Sequence, residues 1–336
     1  MPLPAASVLL PVRDAADTVA EAVQSVLGQS LRELELVLVD DGSRDGTRAL
    51  LRELARTDGR IRLIEQPRRG LVPALQAAAR AARGAFLARM DADDRCHPRR
   101  LERQLRWLRR RPELGAVGCL VESFSAEPLT DGWLAYERWL NGRRSAAEIA
   151  RDIYVESPLA HPSVTLRRAA YEQVGGYRDF DGPEDYDLWL RLVGAGWQLA
   201  KVPAVLLQWR DRPGRLTRRD PRYRPAAFLA LKAHHLARGP LARERRPIWI
   251  WGAGRLGRKL CQALEAEGIR PAAFVDIDPK KIGRQRRGLP VLPRERLRAG
   301  GVALLVAVPV PGARALIRGQ LTRLGLVEGA DYWSCA

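Results

Sequence analysis

Apolar residues in the first part of the chain alternate between two spacings. SVLLPV (7–12) is a short continuous run that ends at a polar loop. Beyond it, Val19, Ala22, Val23, Val26 and Leu27 take the i, i+3, i+4, i+7, i+8 positions of one helix face. Asp14 or Asp17 would cap that helix. LELVLVDDGS predicts a second strand, and a helix carrying Leu50, Leu51 and Leu54 follows. IRLIEQ predicts a third strand, GLVPALQAAARAARG a helix closed by Gly84, and AFLARMDADD a fourth strand. Strands alternating with helices predict an α/β fold with a mostly parallel sheet. Ligands of such sheets bind beyond the carboxyl ends of the strands. Two acidic clusters, Asp40-Asp41 and Asp91-Asp93-Asp94, fall at those ends and should meet at one crevice.

Patterning weakens from Leu120 to Ser157, which reads as loops and helices rather than sheet. SVTLRRAAYEQVGGY predicts a strand running into a short helix. PEDYDLWLRLVGAGW predicts a helix with apolar Leu188, Leu190, Leu192 and Val193, and AAFLALKAHHLA predicts another. RGPLARERRP is charged, rich in proline and poor in apolar residues, so it reads as a linker. After it IWIW, GAGRLG, a helix and AAFVDID restart the strand–turn–helix–strand order. The chain therefore divides into residues 1–238, a linker at 239–246 and a smaller α/β domain at 247–336. Its 336 residues suffice for two cores. No internal repeat of fixed period is present.

Composition narrows the functional classes. The chain is 46% hydrophobic and 29% charged, as in soluble globular proteins. Its longest apolar run, Val302 to Val310, is well short of the ~18 residues that cross a bilayer, and reads as a buried strand. The N-terminus lacks the basic region of a signal peptide, which places the expected location in the cytoplasm, with peripheral attachment to the inner face of the membrane as a variant. Cys96, Cys119, Cys261 and Cys335 are scattered without a CxxC pair, as expected of free thiols. The net charge is +18, nearly all the positive charge is arginine, and no nucleic-acid-binding motif accompanies it. An anionic partner, either a phosphorylated substrate or an acidic membrane surface, fits better than nucleic acid. RRLERQLRWLRRRP (99–112) predicts a basic helix with Leu101, Leu105 and Leu108 on one side. Docking on an anionic membrane is one reading of it. An ordinary surface helix is the preferred one.

Closely spaced carboxylates at a strand end suit a hard divalent cation, Mg²⁺ or Mn²⁺. Asp91 and Asp93 lie two apart, so an extended strand points both to one side. The turn beyond them frees Asp94; the plainer readings are a solvated acidic turn, or Asp94 as the cap of the helix that starts near Pro98. Asp41 either accepts from a nucleobase N–H or closes an Asx-turn with Gly42.

Four stretches in order, LLPVRDAADTVAEAVQSVLGQS, ELVLVDDGSRDGT, GLVPALQAAARAARGAFLARMDADD and PEDYDLWLRL, together resemble the inverting nucleotide-sugar glycosyltransferases of family 2, which have the GT-A fold. The resemblance spans roughly residues 5–235. It implies that Pro11, Arg13 and Asp14 form a first loop on the nucleotide side, and that Asp41 reads the base with Asp40 beside it. Asp91 and Asp93 would be the DxD pair, with Asp93 the more direct ligand of Mg²⁺ or Mn²⁺ on the donor's two phosphates. The cation would stabilise charge on the departing diphosphate. Asp185, with Glu184 as its neighbour, would be the base that takes the acceptor's hydroxyl proton. Read from the residues alone, these two acids only favour a helix N-terminus. His161, in HPSVTLRR, and Trp189 would lie on the acceptor side, though a histidine before proline is as often structural. The expected donor is a UDP-sugar, with other nucleotides open, and the expected acceptor a glycan or a lipid-linked saccharide. QWRDRPGRLTR departs from the frequent family pattern, in which a histidine stands near Arg212 and completes the metal site. Arg210, Arg212 and Arg215 are suited to pair with the diphosphate instead.

In the smaller domain Gly252, Gly254 and Gly257 match G-x-G-x-x-G before a helix whose N-terminus favours a phosphate. Asp276 sits where a ribose-binding acid would. DIDPKKIG and GLPVLP resemble the small Rossmann-like modules found beside sugar-modifying enzymes. The domain is short for a full dinucleotide fold, so a module that binds no NAD or NADP is the preferred reading. Two other functions stay open: an oxidoreductase or epimerase acting on nucleotide sugars through this domain, and a non-catalytic basic protein that binds anions. The intact spacing of DDGS, DADD and PEDYD argues against the last.

Overall fold

The computed structural model describes residues 3–336. The chain folds as two compact units. One comprises the chain up to Ala150, Pro158–Phe180 and Glu184–Arg219. The other comprises Arg151–Ser157, Asp181–Pro183 and Asp220–Ala336.

The first unit is built on β1 (Ala6–Val12), β2 (Leu34–Asp41), β3 (Ile61–Gln66), β4 (Phe86–Arg89), β5 (Arg95–Cys96), β6 (Leu114–Phe124), β7 (Thr165–Arg167) and β8 (Gln198–Arg210). Their order in the sheet is β3-β2-β1-β4-β7-β6-β8-β5. β1 to β4 run parallel, β6 and β8 run parallel, and β7 and β5 are antiparallel to their neighbours. Its helices are α1 (Val19–Leu27), α2 (Thr47–Thr57), α3 (Leu71–Ala81), α4 (Arg100–Arg110), α5 (Asp131–Asn141), α6 (Ala146–Asp152, whose last turn belongs to the second unit), α7 (Arg168–Gln173), α8 (Glu184–Gly194) and α9 (Leu216–Arg219). Every residue of β1 and β2 is buried, which is why these strands read as continuous apolar runs. Leu9 lies opposite both Val37 and Arg89, and Val12 lies opposite Asp40. β1 and β2 therefore end nearly level, β4 stops opposite Leu9, three residues before the end of β1, and the loops after all three lie toward one edge.

Several local expectations are corrected. α1 buries Val19, Ala22, Val23 and Val26 as the spacing predicts, but its N-cap is Thr18, not Asp14 or Asp17. Gly84 does not close α3, which ends at Ala81. It lies so close to β1 that an added Cβ would sit 2.8 Å from the Ala6 carbonyl carbon and the Ser7 nitrogen. The stretch after Leu120 is not free of sheet, because β6 runs on to Phe124. Gly115 and Gly118 broke its pattern. Gly115 is needed because a Cβ there would meet Trp197 at 2.8 Å. β8 carries no clear strand pattern in the sequence because Lys201, Pro203 and Gln208 interrupt its apolar run. Lys201 is fully buried and donates to the Leu140 carbonyl. The leucine face of α4, together with Arg100 and Gln104, lies inside the core, so it is not a surface that a membrane can reach.

The second unit holds α10 (Pro225–Arg238), β9 (Ile248–Trp251), α11 (Arg255–Ala266), β10 (Ala273–Asp276), β11 (Gln285–Arg286), β12 (Leu289–Pro293), β13 (Ala303–Val306), α12 (Ala313–Arg323) and β14 (Tyr332–Ser334). The strand order is β11-β12-β10-β9-β13-β14, parallel except for β11. In the charged stretch before β9, Leu241 is buried in this unit's core and Arg246 pairs with Glu244 and Asp331. Of the apolar run from Val302, only Ala303–Val306 is strand, and Val310 is 60% exposed. All four cysteines are buried and unpaired. Among the described residues no helix is long and apolar enough to cross a membrane.

Candidate active site

The loops after β1 and β2 are laced together. Asp14 N–H donates to Ser43 Oγ (3.0 Å), and its Oδ1 accepts from Arg44 N–H (2.8 Å). Ala15 N–H donates to Thr47 Oγ1 (2.8 Å) and Ala16 N–H to Asp45 Oδ2 (3.2 Å). These bonds hold Asp14 at φ 47°, a left-handed conformation that a non-glycine residue adopts only with such support. Arg13 lies beside it, Nε to Asp14 Oδ2 at 3.4 Å, and Pro11 is buried in β1.

Asp40 and Asp41 are buried, and protein groups already donate to both. Asp40 accepts from Ser43 N–H (3.1 Å) and Arg48 Nε (2.8 Å). Asp41 accepts from Gln66 Nε2 and the N–H groups of Arg69 and Gly70, each at 2.8 Å. In this structure Asp41 thus fixes the loop that opens α3. A nucleobase N–H would be a further donor to it.

β4 stops at Arg89, and the acidic turn begins there. One carboxylate oxygen from each of Asp91, Asp93 and Asp94 lies within 4.8 Å of the others. Three like charges so close repel, and arginines answer them. Arg89 pairs with Asp91, Arg212 Nε lies 2.8 Å from Asp93 Oδ2, and Arg210 N–H donates to Asp94 Oδ1 at 2.8 Å. Arg210 Nε also donates to the Asp93 carbonyl (2.7 Å), and its Nη2 to Glu21 Oε2 (2.7 Å). The three carboxyls differ in consequence. Burial pushes Asp91 up, but Arg89, His161 and Arg215 hold it below the ordinary carboxylate value. Burial and the Asp91 charge push Asp93 up. Burial, Asp91 and Asp93 push Asp94 well above it. Asp94 is not the cap of α4, contrary to one reading of its position. Its Oδ2 is buried without a hydrogen-bond partner. A three-carboxylate set with an orphaned buried oxygen fits a hard divalent cation.

The start of α8 comes to the same edge. His161 Nε2 is hydrogen-bonded to the Tyr177 hydroxyl (2.7 Å), and its Nδ1 faces Glu184 Oε1 at 3.5 Å. Asp91 feels the charge of His161, and Tyr177 feels those of Arg89, Glu184 and Asp185. The strand end, the His161 turn and the Glu184-Asp185 pair are therefore electrostatic neighbours. Asp185 is less buried than Glu184, and its Oδ1 accepts from Tyr186 N–H (2.7 Å). Trp189 does not line the site: it is fully buried, and its ring stands edge-on to His161 at 6.1 Å. It acts as a backing for the histidine. Tyr177 and Arg89 carried no clear sequence signal for these roles; Asp94 was legible as part of the acidic cluster, but its orphaned buried oxygen was not. The pairing of Arg212 with Asp93 was foreshadowed only by the missing histidine.

Residues 7–175 match the family described as Glycosyl transferase family 2. The chain belongs to this family. EpsE of Bacillus subtilis (strain 168), named as a glycosyltransferase, is 29% identical over 225 residues, 65% of this chain and 77% of its own length. Solved structures share the fold. Staphylococcus aureus TarS in complex with UDP-GlcNAc superposes with a TM-score of 0.57 at 16% identity, over 77% of this chain and 71% of that one. The mannosyltransferase PcManGT from Pyrobaculum calidifontis, in complex with GDP-Man and Mn²⁺, gives 0.51 at 22% identity, over 79% and 73%. The first unit thus has the GT-A fold of family 2 enzymes, and the protein is a glycosyltransferase.

The glycine-rich turn of the second unit is a separate matter. Gly252 has φ 114°, and a Cβ on Gly257 would lie 1.8 Å from the Gly252 carbonyl oxygen, so close packing of β9 on α11 demands both. A Cβ on Gly254 would meet nothing within 4 Å. Asp276 accepts from the N–H groups of Ala253 (2.9 Å), Ile277 (2.9 Å) and Asp278 (3.0 Å), and from Lys281 Nζ (3.2 Å). Its carboxylate is engaged in holding the turn.

Proposed function

We propose that this family 2 enzyme moves a sugar from a nucleotide-sugar donor to a hydroxyl of a glycan or lipid-linked saccharide, with inversion, by direct displacement. The observation that carries the reading is the meeting of the Asp91-Asp93-Asp94 turn with the Glu184-Asp185 start of α8 at one sheet edge. Asp91 and Asp93 would hold Mg²⁺ or Mn²⁺, and Asp94 would complete the oxygen set. The ion supplies Lewis-acid stabilisation of the departing diphosphate. The laced loops of Asp14, Asp40 and Asp41, with Pro11 and Arg13, would cradle the nucleoside. Asp185 takes the proton of the attacking hydroxyl, and His161, held by Tyr177 and Glu184, orients the acceptor side. UDP-GlcNAc in one structural neighbour and GDP-Man with Mn²⁺ in another support a nucleotide-sugar donor and a divalent ion. A UDP-sugar is the donor we favour.

In this proposal the first unit is the transferase domain, and 247–336, packed with α10, form a Rossmann-like module that needs no NAD(P). A cytoplasmic enzyme, with or without peripheral attachment at the membrane, is consistent with it. The test is transfer or donor hydrolysis by Asp185→Asn. Activity should fall about 100- to 10,000-fold, the worth of a positioned base, while donor binding in Mn²⁺ is kept. Near-normal turnover of Asp185→Asn would remove Asp185 from the chemistry.

A further inference from the structure

The arginine on Asp93 has a consequence for the diphosphate. β8 is tied to the acidic turn through Arg210, whose N–H and Nε bond Asp94 and the Asp93 carbonyl. Asp211 N–H is fixed on the Phe124 carbonyl (2.8 Å). Asp211 also gathers Arg218 (2.8 Å) and Arg215 (3.7 Å), and Arg215 stacks over Trp209 and Trp133 at 4.4 and 4.8 Å. Arg212 is different. Its guanidinium reaches back to Asp93 Oδ2, and its side chain is 42% exposed against 15% for Asp93. The Nε that faces Asp93 is buried but makes no hydrogen bond there, so the pair is a bare charge contact on a half-exposed side chain, weak and readily exchanged for a stronger partner. A divalent cation on Asp93 is such a partner for the carboxylate. A diphosphate on that cation is one for the guanidinium, whose fork matches phosphate oxygens.

We propose that Arg212 is an exchangeable counter-ion. It neutralises Asp93 before metal binds and passes to the donor's diphosphate when metal and donor arrive. Arg215, held on its two tryptophans and already felt by Asp91, Asp93 and Asp94, lies beside that path as a fixed second cation. The inference rests on the metal site proposed above. The same chain then carries charge to both halves of the reaction: against the empty carboxylates first, against the leaving diphosphate afterwards.

The test uses the full chain and Mn²⁺ alone, followed by the free-ion signal in electron paramagnetic resonance, and then UDP and GDP titrated in saturating Mn²⁺. Arg212→Gln should bind Mn²⁺ about two- to fivefold more tightly, the scale of a half-exposed ion pair. It should bind the nucleoside diphosphate several-fold more weakly than the unmodified chain. Arg219→Gln, which takes the same charge from the neighbouring helix α9 but no partner from Asp93, should change neither. Equal or weaker Mn²⁺ binding by Arg212→Gln, or unchanged diphosphate affinity, overturns the exchange while leaving the metal site standing. A matching gain from Arg219→Gln reduces the effect to net charge and also overturns it. No Mn²⁺ binding by the unmodified chain removes the metal site itself, and the exchange with it.

Discussion

Lys201 shows how one residue couples burial to pH. It lies inside β8 with its Nζ on the Leu140 carbonyl, and burial pulls its ammonium down to about 7. Above that value the folded chain releases the proton, whereas the unfolded chain keeps it until near the ordinary lysine value. The unfolded state therefore binds more protons across that window, and stability rises with pH. Lys201→Met removes the titration. The stability of the unmodified chain relative to Lys201→Met should climb from about pH 7 upward, which urea melts at pH 7 and pH 9 would measure. A flat difference would mean that Lys201 is charged in its site. The buried thiols act in the opposite sense: burial pushes Cys119 and Cys261 up to about 11. Comparison with the variant cancels them.

At the scale of elements, the crossover from α3 to β4 is fixed by Gly84. Gly84 N–H donates to Ser7 Oγ (2.8 Å), Ser7 donates to Glu35 Oε1 (2.6 Å), and Arg83 Nε closes on Glu35 Oε2 (2.8 Å). Gly84→Ala puts a methyl against the β1 backbone and should cost about 1–3 kcal/mol in thermal or urea unfolding. Stability within about 0.5 kcal/mol of the unmodified chain would mean that β1 yields to it. How far the elements were legible follows the same physics. β1, β2, α1 and α3 could be read because parallel strands and helix faces buried here carry unbroken apolar periods. β6 and β8 could not, because Gly115 serves Trp197 and Lys201 is buried against its type. The carboxylate positions were plain from spacing. The partners that tune them, Arg89, Tyr177 and Arg212, come from distant segments, and no local pattern announces such contacts.

At the scale of the whole chain, the second unit is not a contiguous tail. It includes Arg151–Ser157 and the helix α10. Lys232 Nζ donates to the Val155 carbonyl (2.6 Å), and Arg318 pairs with the fully buried Asp152. Leu229, Ala233 and Leu236 of α10 share a core with β9, α11 and β13. A chain cut after residue 238 loses Arg318 and most of that core. It should bind a hydrophobic dye and melt well below the full chain, as burying each large apolar side chain is worth about 1.5–3 kcal/mol. A clean, dye-free melt of that fragment at the full chain's temperature would show that α10 needs no such partner.

The central claim is a nucleotide-sugar site that depends on a divalent ion. Calorimetric titration of a nucleotide-sugar panel into the full chain, in Mn²⁺ and again in EDTA, tests it most directly, with Asp93→Asn alongside. The account predicts that one donor saturates in Mn²⁺ and that its binding is lost in EDTA and in Asp93→Asn. Binding indifferent to EDTA and to Asp93, or no donor bound in Mn²⁺, would contradict it.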